Sequence, residues 1–410
     1  MTAVMSDFPE DWPLQRLGDI FAFSNGVNAD KASYGKGCRF INVLETITYS
    51  HIHGQEIPGR VSLPGAVVDA YAVEKGDILF NRTSETDADV GLASVYLGDE
   101  RVVFGGFVIR GRPVEEVFAP VYAGYALRAP FIRSQVISMG QGAVRSNIGQ
   151  ESLKRVLAPV PLVTEQLEIA KALSDIDALL AGLDRLIAKK RDLKQAAMQQ
   201  LLTGELRLPG FRETWKDRTL AECLRATPDY GINAAAVEWS DRLPTYLRIT
   251  DISEDGRFRP APRVAVQSTL ATRYLLCEGD IVFARTGASV GKSYRYRAED
   301  GPLVFAGFLI RIRPNPDSLL AAFLAEYVTT KPYWNWVAQM SMRSGQPGIN
   351  AEQYARLPIR VPPLNEQATI VEVLSEMDAE RSALEAQRHK TQALKQAMMQ
   401  ELLTGRIRLI

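Results

Sequence analysis

Leu173, Ile176, Leu180, Leu183 and Ile187 follow one another in alternating steps of three and four, with mostly polar residues between them. That spacing lays one apolar stripe along a helix and matches a coiled-coil seam. Thr164 suits an N-cap, Glu165 puts an acid in the first turn, and Gly204 suits the C-terminal stop. The pattern predicts a helix from Thr164 to Thr203, roughly 60 Å long at ~1.5 Å per residue. A looser stripe, Val373, Met377, Leu384, Leu394 and Met398, lies between Asn365-Glu366 and Gly405 and predicts a second long helix. Helices of this length outrun a globular core. The two are expected to pair with each other, leaving outer faces for a partner; packing onto a module's own core is the plainer alternative. Arg185, Lys189, Lys190, Arg191 and Lys194 crowd the second half of the first helix and read mostly as a solvated face.

Ahead of each helix lie about 160 residues with short β-type runs, among them Asp77–Phe80, Arg101–Arg110, Asp280–Phe283 and Leu303–Arg313, bounded by Gly, Asp and Pro. These runs recur. Lys75-Gly76-Asp77-Ile78-Leu79-Phe80-Asn81-Arg82-Thr83 returns as Glu278-Gly279-Asp280-Ile281-Val282-Phe283-Ala284-Arg285-Thr286, and Phe104-Gly105-Gly106-Phe107-Val108-Ile109-Arg110 as Phe305-Ala306-Gly307-Phe308-Leu309-Ile310-Arg311. Phe107 and Phe308, Glu165 and Glu366, and Gly204 and Gly405 are each 201 residues apart. Two copies are too few for a solenoid, so the chain is a duplicated module. The expected fold class is α/β (α+β): a β-rich domain over 1–163, a long helix over 164–205, a second β-rich domain over 206–363 and a helix over 364–410, the helices forming an antiparallel coiled coil.

Composition narrows the class. No stretch approaches the ~20 apolar residues that a membrane helix needs, and the first twelve residues lack the apolar core of a secretory signal. Cys38, Cys223 and Cys277 are far apart, as expected of reduced thiols in a cytoplasmic protein. The 48 basic and 48 acidic residues cancel, so any nucleic-acid contact must rest on local patches.

No reaction centre emerges. Gly287-Ala288-Ser289-Val290-Gly291-Lys292-Ser293 is one residue short of a phosphate-binding loop, and its counterpart Asp87-Ala88-Asp89-Val90-Gly91-Leu92-Ala93 has no lysine. Asn315-Pro316-Asp317-Ser318 lacks the second proline and the aromatic ring of the amino-methyltransferase motif. Pro228-Asp229 has no Glu-x-Lys to complete a nuclease site, and His51 and His53 have no third metal ligand in spacing. Duplicated modules, pairing helices and no catalytic constellation are the profile of a bivalent binder.

The turns into the helices carry a resemblance. Val361-Pro362-Pro363-Leu364-Asn365-Glu366-Gln367 with Leu402-Leu403-Thr404-Gly405 looks like the conserved region of Type I restriction-modification specificity subunits. The first copy, Val160-Pro161-Leu162-Val163-Thr164-Glu165-Gln166 with Leu201-Leu202-Thr203-Gly204, lacks the second proline. The Gly-Asp-Ile and Gly-Phe runs resemble those of the family's target-recognition domains, and the likeness spans nearly the whole chain. The resemblance implies that the chain is not itself an enzyme. Each target-recognition domain would read one half of a bipartite site in double-stranded DNA. Modification subunits carrying S-adenosylmethionine would dock on the helices, and ATP-driven restriction subunits would join them. No cofactor and no membrane contact are expected of this chain.

The family supplies no transferable base-reading motif, so the candidate contacts rest on chemistry. Arg, Lys, Asn, Gln, Ser and Thr on loops beside rigid strands read base edges. Arg285, Thr286, Lys292 and Arg295 lie in a stretch without acids, interleaved with Tyr294 and Tyr296; Arg82, Thr83 and Ser84 hold the same place in the first copy, followed by Glu85, Asp87 and Asp89. A second pair of loops offers Arg145 and Asn147, and Arg343 and Gln346. Solvated hairpins, and helix capping by Asn147 and Asn350, are the competing explanations. The rival functions are a free-standing bivalent repressor, which would not need two such helices, and a protein-only coiled-coil adaptor, which would not need the β-rich modules.

Overall fold

The computed structural model describes residues 8–140, 142, 146–342 and 346–409. It divides into two compact units, residues 1–184 with 386–410, and residues 185–385. The division differs from the four consecutive pieces expected above. Each unit takes one β-rich module, the start of the long helix that follows it, and the end of the other helix.

In the first unit a five-stranded sheet runs in the order Phe21–Asn25, Val108–Pro113, Ile78–Asn81, Ala93–Tyr96, His51–Ile52, antiparallel except for the last pair. A four-stranded sheet runs Arg60–Val61, Tyr34–Ile41, Val102–Phe104, Ala72–Val73, with its middle pair parallel. The second unit repeats the plan. One sheet is Leu224–Tyr230, Leu309–Pro314, Ile281–Ala284, Ser293–Arg295; the other is Ala236–Glu238, Val264–Val266, Thr245–Leu247, Leu303–Phe305, whose last pair is parallel.

The repeated Gly-Asp-Ile run is the centre of each module. Gly76 and Gly279 turn the chain at φ of +93° and +88°, a conformation that costs glycine little. The buried Asp77 carboxylate accepts the Glu74 N–H (2.8 Å), and Asp280 accepts that of Cys277 (3.0 Å). The strand that follows is apolar on both faces because both are covered. Ile78 and Phe80 enter one core and Leu79 another, as Ile281 and Phe283 enter one and Val282 another.

The two repeated motifs meet at the aspartate. Arg112 pairs with Asp77 at 2.8 Å with Arg110 at 4.0 Å, and Arg311 lies 3.6 Å from Asp280. Burial lowers the pKa of Arg110, with Arg112 adding to it, while the hydrogen bond to Asp77 raises that of Arg112. The arginine that ends each Gly-Phe run thus lies within ion-pair distance of the aspartate in each Gly-Asp-Ile run, although Arg311 makes its hydrogen bonds to Asp229 (2.7 Å).

The long helices are Val163–Thr203 and Leu364–Leu402. Each begins one residue before the expected N-cap, so Thr164 and Asn365 stand in the first turn; Asn365 Oδ1 accepts the Glu366 N–H at 2.9 Å. Gly204 and Gly405 follow the helices at φ of +75° and +71°, as the stop signal requires.

Pairing is antiparallel in both units. In the first, Lys395 meets Asp177 (2.6 Å) and Arg388 meets Asp184 (2.5 Å). In the second, Lys194 meets Asp378 and Lys190 meets Glu380, both at 2.6 Å. Lys190 and Lys194 thus face the other helix instead of solvent. Leu173, Leu180 and Leu183 are buried, and Ile176 and Ile187 half-buried, as the stripe requires. The second helix differs from its expected stripe. Val373, Met377, Leu384 and Met398 are half-buried, but Leu394 is 52% exposed and belongs to no seam. Buried Leu374, with Arg381, Arg388, Thr391 and Lys395, continues the three-four spacing instead. The helix ends also join the module cores: Ile169 and Leu173 with Leu402 in the first unit, Ile370 and Leu374 with Leu201 and Leu202 in the second.

A repeated joint fixes module to helix. Glu165, fully buried, accepts the Trp12 indole N–H (3.0 Å) and pairs with Arg408, whose guanidinium lies over the Trp12 ring. Glu366 does the same with Trp215 (3.0 Å) and Arg207 (2.5 Å). The neighbouring glutamine completes it. Gln166 binds the Val117 and Pro161 carbonyls and the Ala119 N–H, and Gln367 binds those of Ser318, Pro362 and Leu320. The first-turn acids are thus the buried centre of an interlock rather than solvated charges facing a helix dipole.

Candidate nucleic-acid interface

Three segments of each module converge where the central strand ends. In the first unit Thr83–Ser84 pairs antiparallel with Ser146–Asn147, and the Thr83 hydroxyl donates to Asn147 Oδ1 at 2.7 Å. The Arg82 N–H donates to the Phe107 carbonyl (2.9 Å), and the Ile148 N–H to that of Arg82 (3.0 Å). In the second unit Thr286 bridges Gly348, Gly287 donates to Pro347 (3.0 Å), Ile349 donates to Arg285 (2.9 Å) and Arg285 donates to Phe308 (3.1 Å). Two candidate loops far apart in sequence therefore form one edge in each module, with the Gly-Phe turn hydrogen-bonded to the arginine of the first loop.

The arginines of this edge stand differently. Arg285 lies over the Tyr230 ring at 4.8 Å, and the Tyr230 hydroxyl accepts the Ala351 N–H at 3.1 Å, so the guanidinium rests on an anchored aromatic face. Arg82 is exposed; its guanidinium contacts the Gly106 carbonyl at 3.4 Å. Thr83 and Thr286 are half-buried at the edge, and Gln346 is exposed.

Other candidates read differently. Ser84 is buried and its hydroxyl accepts the Thr86 N–H, so it shapes the loop rather than facing a ligand. Lys292 pairs with Glu254, brought in from a distant turn, so the stretch that is free of acids in sequence is not so in space. Arg295 stands half-exposed on the strand Ser293–Arg295, while Tyr294 and Tyr296 turn inward. Tyr294 donates to Asp300 (2.5 Å) and Tyr296 to the Gly301 carbonyl (3.0 Å). Their alternation with Arg295 and Arg297 is strand periodicity, and no base can stack on them. Arg145 and Arg343 lie outside the described residues.

Two acids of the first loop are engaged by hydroxyls. Asp89 accepts from Thr86 (2.7 Å) and Asp87 from Ser146. Asn350 caps the short helix Ala351–Ala355, accepting the Gln353 N–H at 2.8 Å, whereas Asn147 serves the edge ladder. His51 is held between Ser50 and the Val121 carbonyl, its pKa lowered by burial. Among the described residues no group of three or more His, Cys, Asp and Glu could hold a metal ion.

Duplicated modules with matching loop edges, each joined to paired long helices, define a bivalent recognition protein. The family model for the Type I restriction modification DNA specificity domain matches residues 9–189 and 267–396, and the chain belongs to that family. The specificity subunit of the Type I restriction enzyme StySPI of Salmonella potsdam is 24% identical, over 83% of this chain and 76% of that one. The putative MjaX specificity subunit of Methanocaldococcus jannaschii is 24% identical over 98% and 95%. Among solved structures, the S subunit from M. genitalium superposes with a TM-score of 0.55 at 15% identity, covering 97% of this chain and 96% of that one. The HsdS subunit from Thermoanaerobacter tengcongensis gives 0.54 at 19%, covering 98% of both. The chain is thus a specificity subunit, a part that selects DNA sequence and is not itself catalytic.

Proposed function

We propose that each module reads one half of a bipartite duplex site through its loop edge, and that the paired helices fix the spacing and carry the docking surface for modification subunits. The observation that carries this is the duplicated edge, Arg82-Thr83-Asn147 in one unit and Arg285-Thr286-Gln346 in the other, built on the same backbone hydrogen bonds. Arg and Gln or Asn are the side chains that read guanine and adenine edges. S-adenosylmethionine and the adenine-methylating site belong to the modification subunits, and ATP-driven translocation and cleavage to restriction subunits; the assembly works in the cytoplasm. None of the described helices is long and apolar enough to cross a membrane. Co-expression with the modification subunit in a methylation-free host, followed by methylome sequencing, tests the reading. A two-part motif with a fixed spacer is expected; an unchanged methylome, or a motif in one block, would refute it.

A further inference from the structure

The fold accounts for every residue of the Gly-Phe run except the phenylalanine. Val108 and Ile109 enter cores, as Leu309 and Ile310 do, and Arg110 and Arg311 lie within ion-pair distance of the buried aspartates. Phe107 is 56% exposed and Phe308 60% exposed. Their backbones are nevertheless clamped on both sides. Gly106 donates to Val27 (2.9 Å), Val108 to Gly105 (2.9 Å) and Arg82 to Phe107 (2.9 Å). The second copy repeats these bonds with Gly307 to Ile232 (2.8 Å), Leu309 to Ala306 (2.9 Å) and Arg285 to Phe308 (3.1 Å).

One exposed phenylalanine is ordinary on any protein surface. Two at the same clamped position, in halves whose loops otherwise differ, need a shared reason, and core packing is not it. The backbone carbonyl of each phenylalanine accepts the N–H of the arginine of its edge. Apolar side chains contact thymine methyl groups in the major groove or wedge between base steps, and a ring on a fixed turn loses little freedom when it binds.

We propose that Phe107 and Phe308 are apolar base contacts, one in each half-site, specificity-determining residues beside Arg82 and Arg285. The proposal rests on the half-site reading above and names what that reading lacks, the apolar member of each edge. A protein partner for the rings is the competing occupant. The polar side chains that share the edge, Thr83 with Asn147 and Thr286 with Gln346, favour DNA.

The test uses the full chain bound to its modification subunit and a duplex carrying the motif that methylome sequencing defines. Binding is measured over a range of salt for the wild type, Phe107→Ala, Phe308→Ala and the two leucine variants. Each alanine variant should bind about 5- to 150-fold more weakly, on the scale of a lost aromatic–base contact. The log–log salt slope should stay unchanged, where a lost phosphate contact would lower it by about 0.9. Base changes in the first half-site should matter less to Phe107→Ala, and those in the second less to Phe308→Ala. Leucine should restore part of the loss, with thermal midpoints at the wild-type value. Wild-type affinity in both alanine variants, a loss that comes with a shallower salt slope, or lost subunit binding with DNA affinity intact would each overturn the proposal. If the wild type shows no preference for the two-part motif, the half-site reading itself fails; equal binding by wild type and variants removes the phenylalanines alone.

Discussion

The joint between module and helix and the loop edge of each module are both duplicated, but to different degrees. At the joint the two units share chemistry: tryptophan to glutamate, arginine to the same glutamate and across the ring, glutamine to two carbonyls and one N–H. At the edge they share the backbone, the Arg-Thr pair, the exposed phenylalanine and an arginine contact to the glycine carbonyl (Arg82 to Gly106 at 3.4 Å, Arg285 to Gly307 at 3.5 Å), but the surrounding side chains differ. Arg285 rests on Tyr230, where the strand position pairing with the equivalent isoleucine in the first unit is Asn25; Asp87 and Asp89 fill a loop whose counterpart holds Gly287 and Ser289. A joint of constant chemistry fixes each module to its own helix in the same way, and on the proposed half-site reading the side chains that differ around a shared edge would let the modules recognise different sequences.

The joint should show the largest effects. Glu366→Ala strands the Arg207 guanidinium and the Trp215 N–H, and breaking a buried pair costs about 3–5 kcal/mol. Glu165→Ala should cost a similar amount, read by denaturant unfolding. A severe loss in one variant with none in the other would break the equivalence of the joints.

The pairing helices give the next test. Asp177 and Asp378 are 201 residues apart, as are Lys194 and Lys395. The pairs Lys395–Asp177 and Lys194–Asp378 are therefore the same contact made twice. A chain stopped after Pro209 keeps Arg207, the counterpart of Arg408, and in a two-fold dimer its Lys194 would meet Asp177 of the second copy. It should assemble as a dimer and, with the modification subunit, methylate a palindrome of the first half-site. A folded monomer in sedimentation would contradict this.

Direct fusion of Ile410 to Met1 leaves sixteen residues between Gly405 and Trp12, against ten between Gly204 and Trp215. Gly405 already packs against Pro9 and Trp12, as Gly204 does against Trp215. A permutant opened between Gly204 and Trp215 should fold and keep the wild-type motif, whereas loss of DNA specificity in a folded permutant would show that the two joints are not interchangeable.

At the edge the effects should be smaller and unequal. Arg285→Ala should cost about 1–3 kcal/mol of DNA affinity at one base position, and Arg82→Ala less, because among the described residues no aromatic ring lies under the Arg82 guanidinium as Tyr230 does under Arg285. Tyr230→Ala should fall between them. Equal losses, measured on single-base variants of the site, would show that the ring does not matter. Lys292→Ala should change affinity and salt slope least, since its charge is already matched by Glu254.

Much of the scaffold was legible because it depends on local rules. Gly76 and Gly279 mark turns, Gly204 and Gly405 end helices, and Leu173 to Ile187 follow the coiled-coil step. The second seam was harder to see because Arg381, Arg388, Thr391 and Lys395 occupy it, so an apolar count moved to the exposed Leu394. Tyr294 and Tyr296 are interleaved with the basic residues because inward and outward residues alternate along a strand, and the sequence does not mark which is which. The Trp12–Glu165–Arg408 joint joins residues from both ends of the chain and the first helix, beyond any local pattern. The reading edge has the same limit: Thr83 and Asn147 meet only through the fold.

The claim that each edge reads its own half-site is tested most directly by exchanging residues 206–363 for those of a relative with a different site and sequencing the methylome. The account predicts a motif whose second half-site and only that half changes, with the first half-site retained. A change in both half-sites, or in neither, would contradict it.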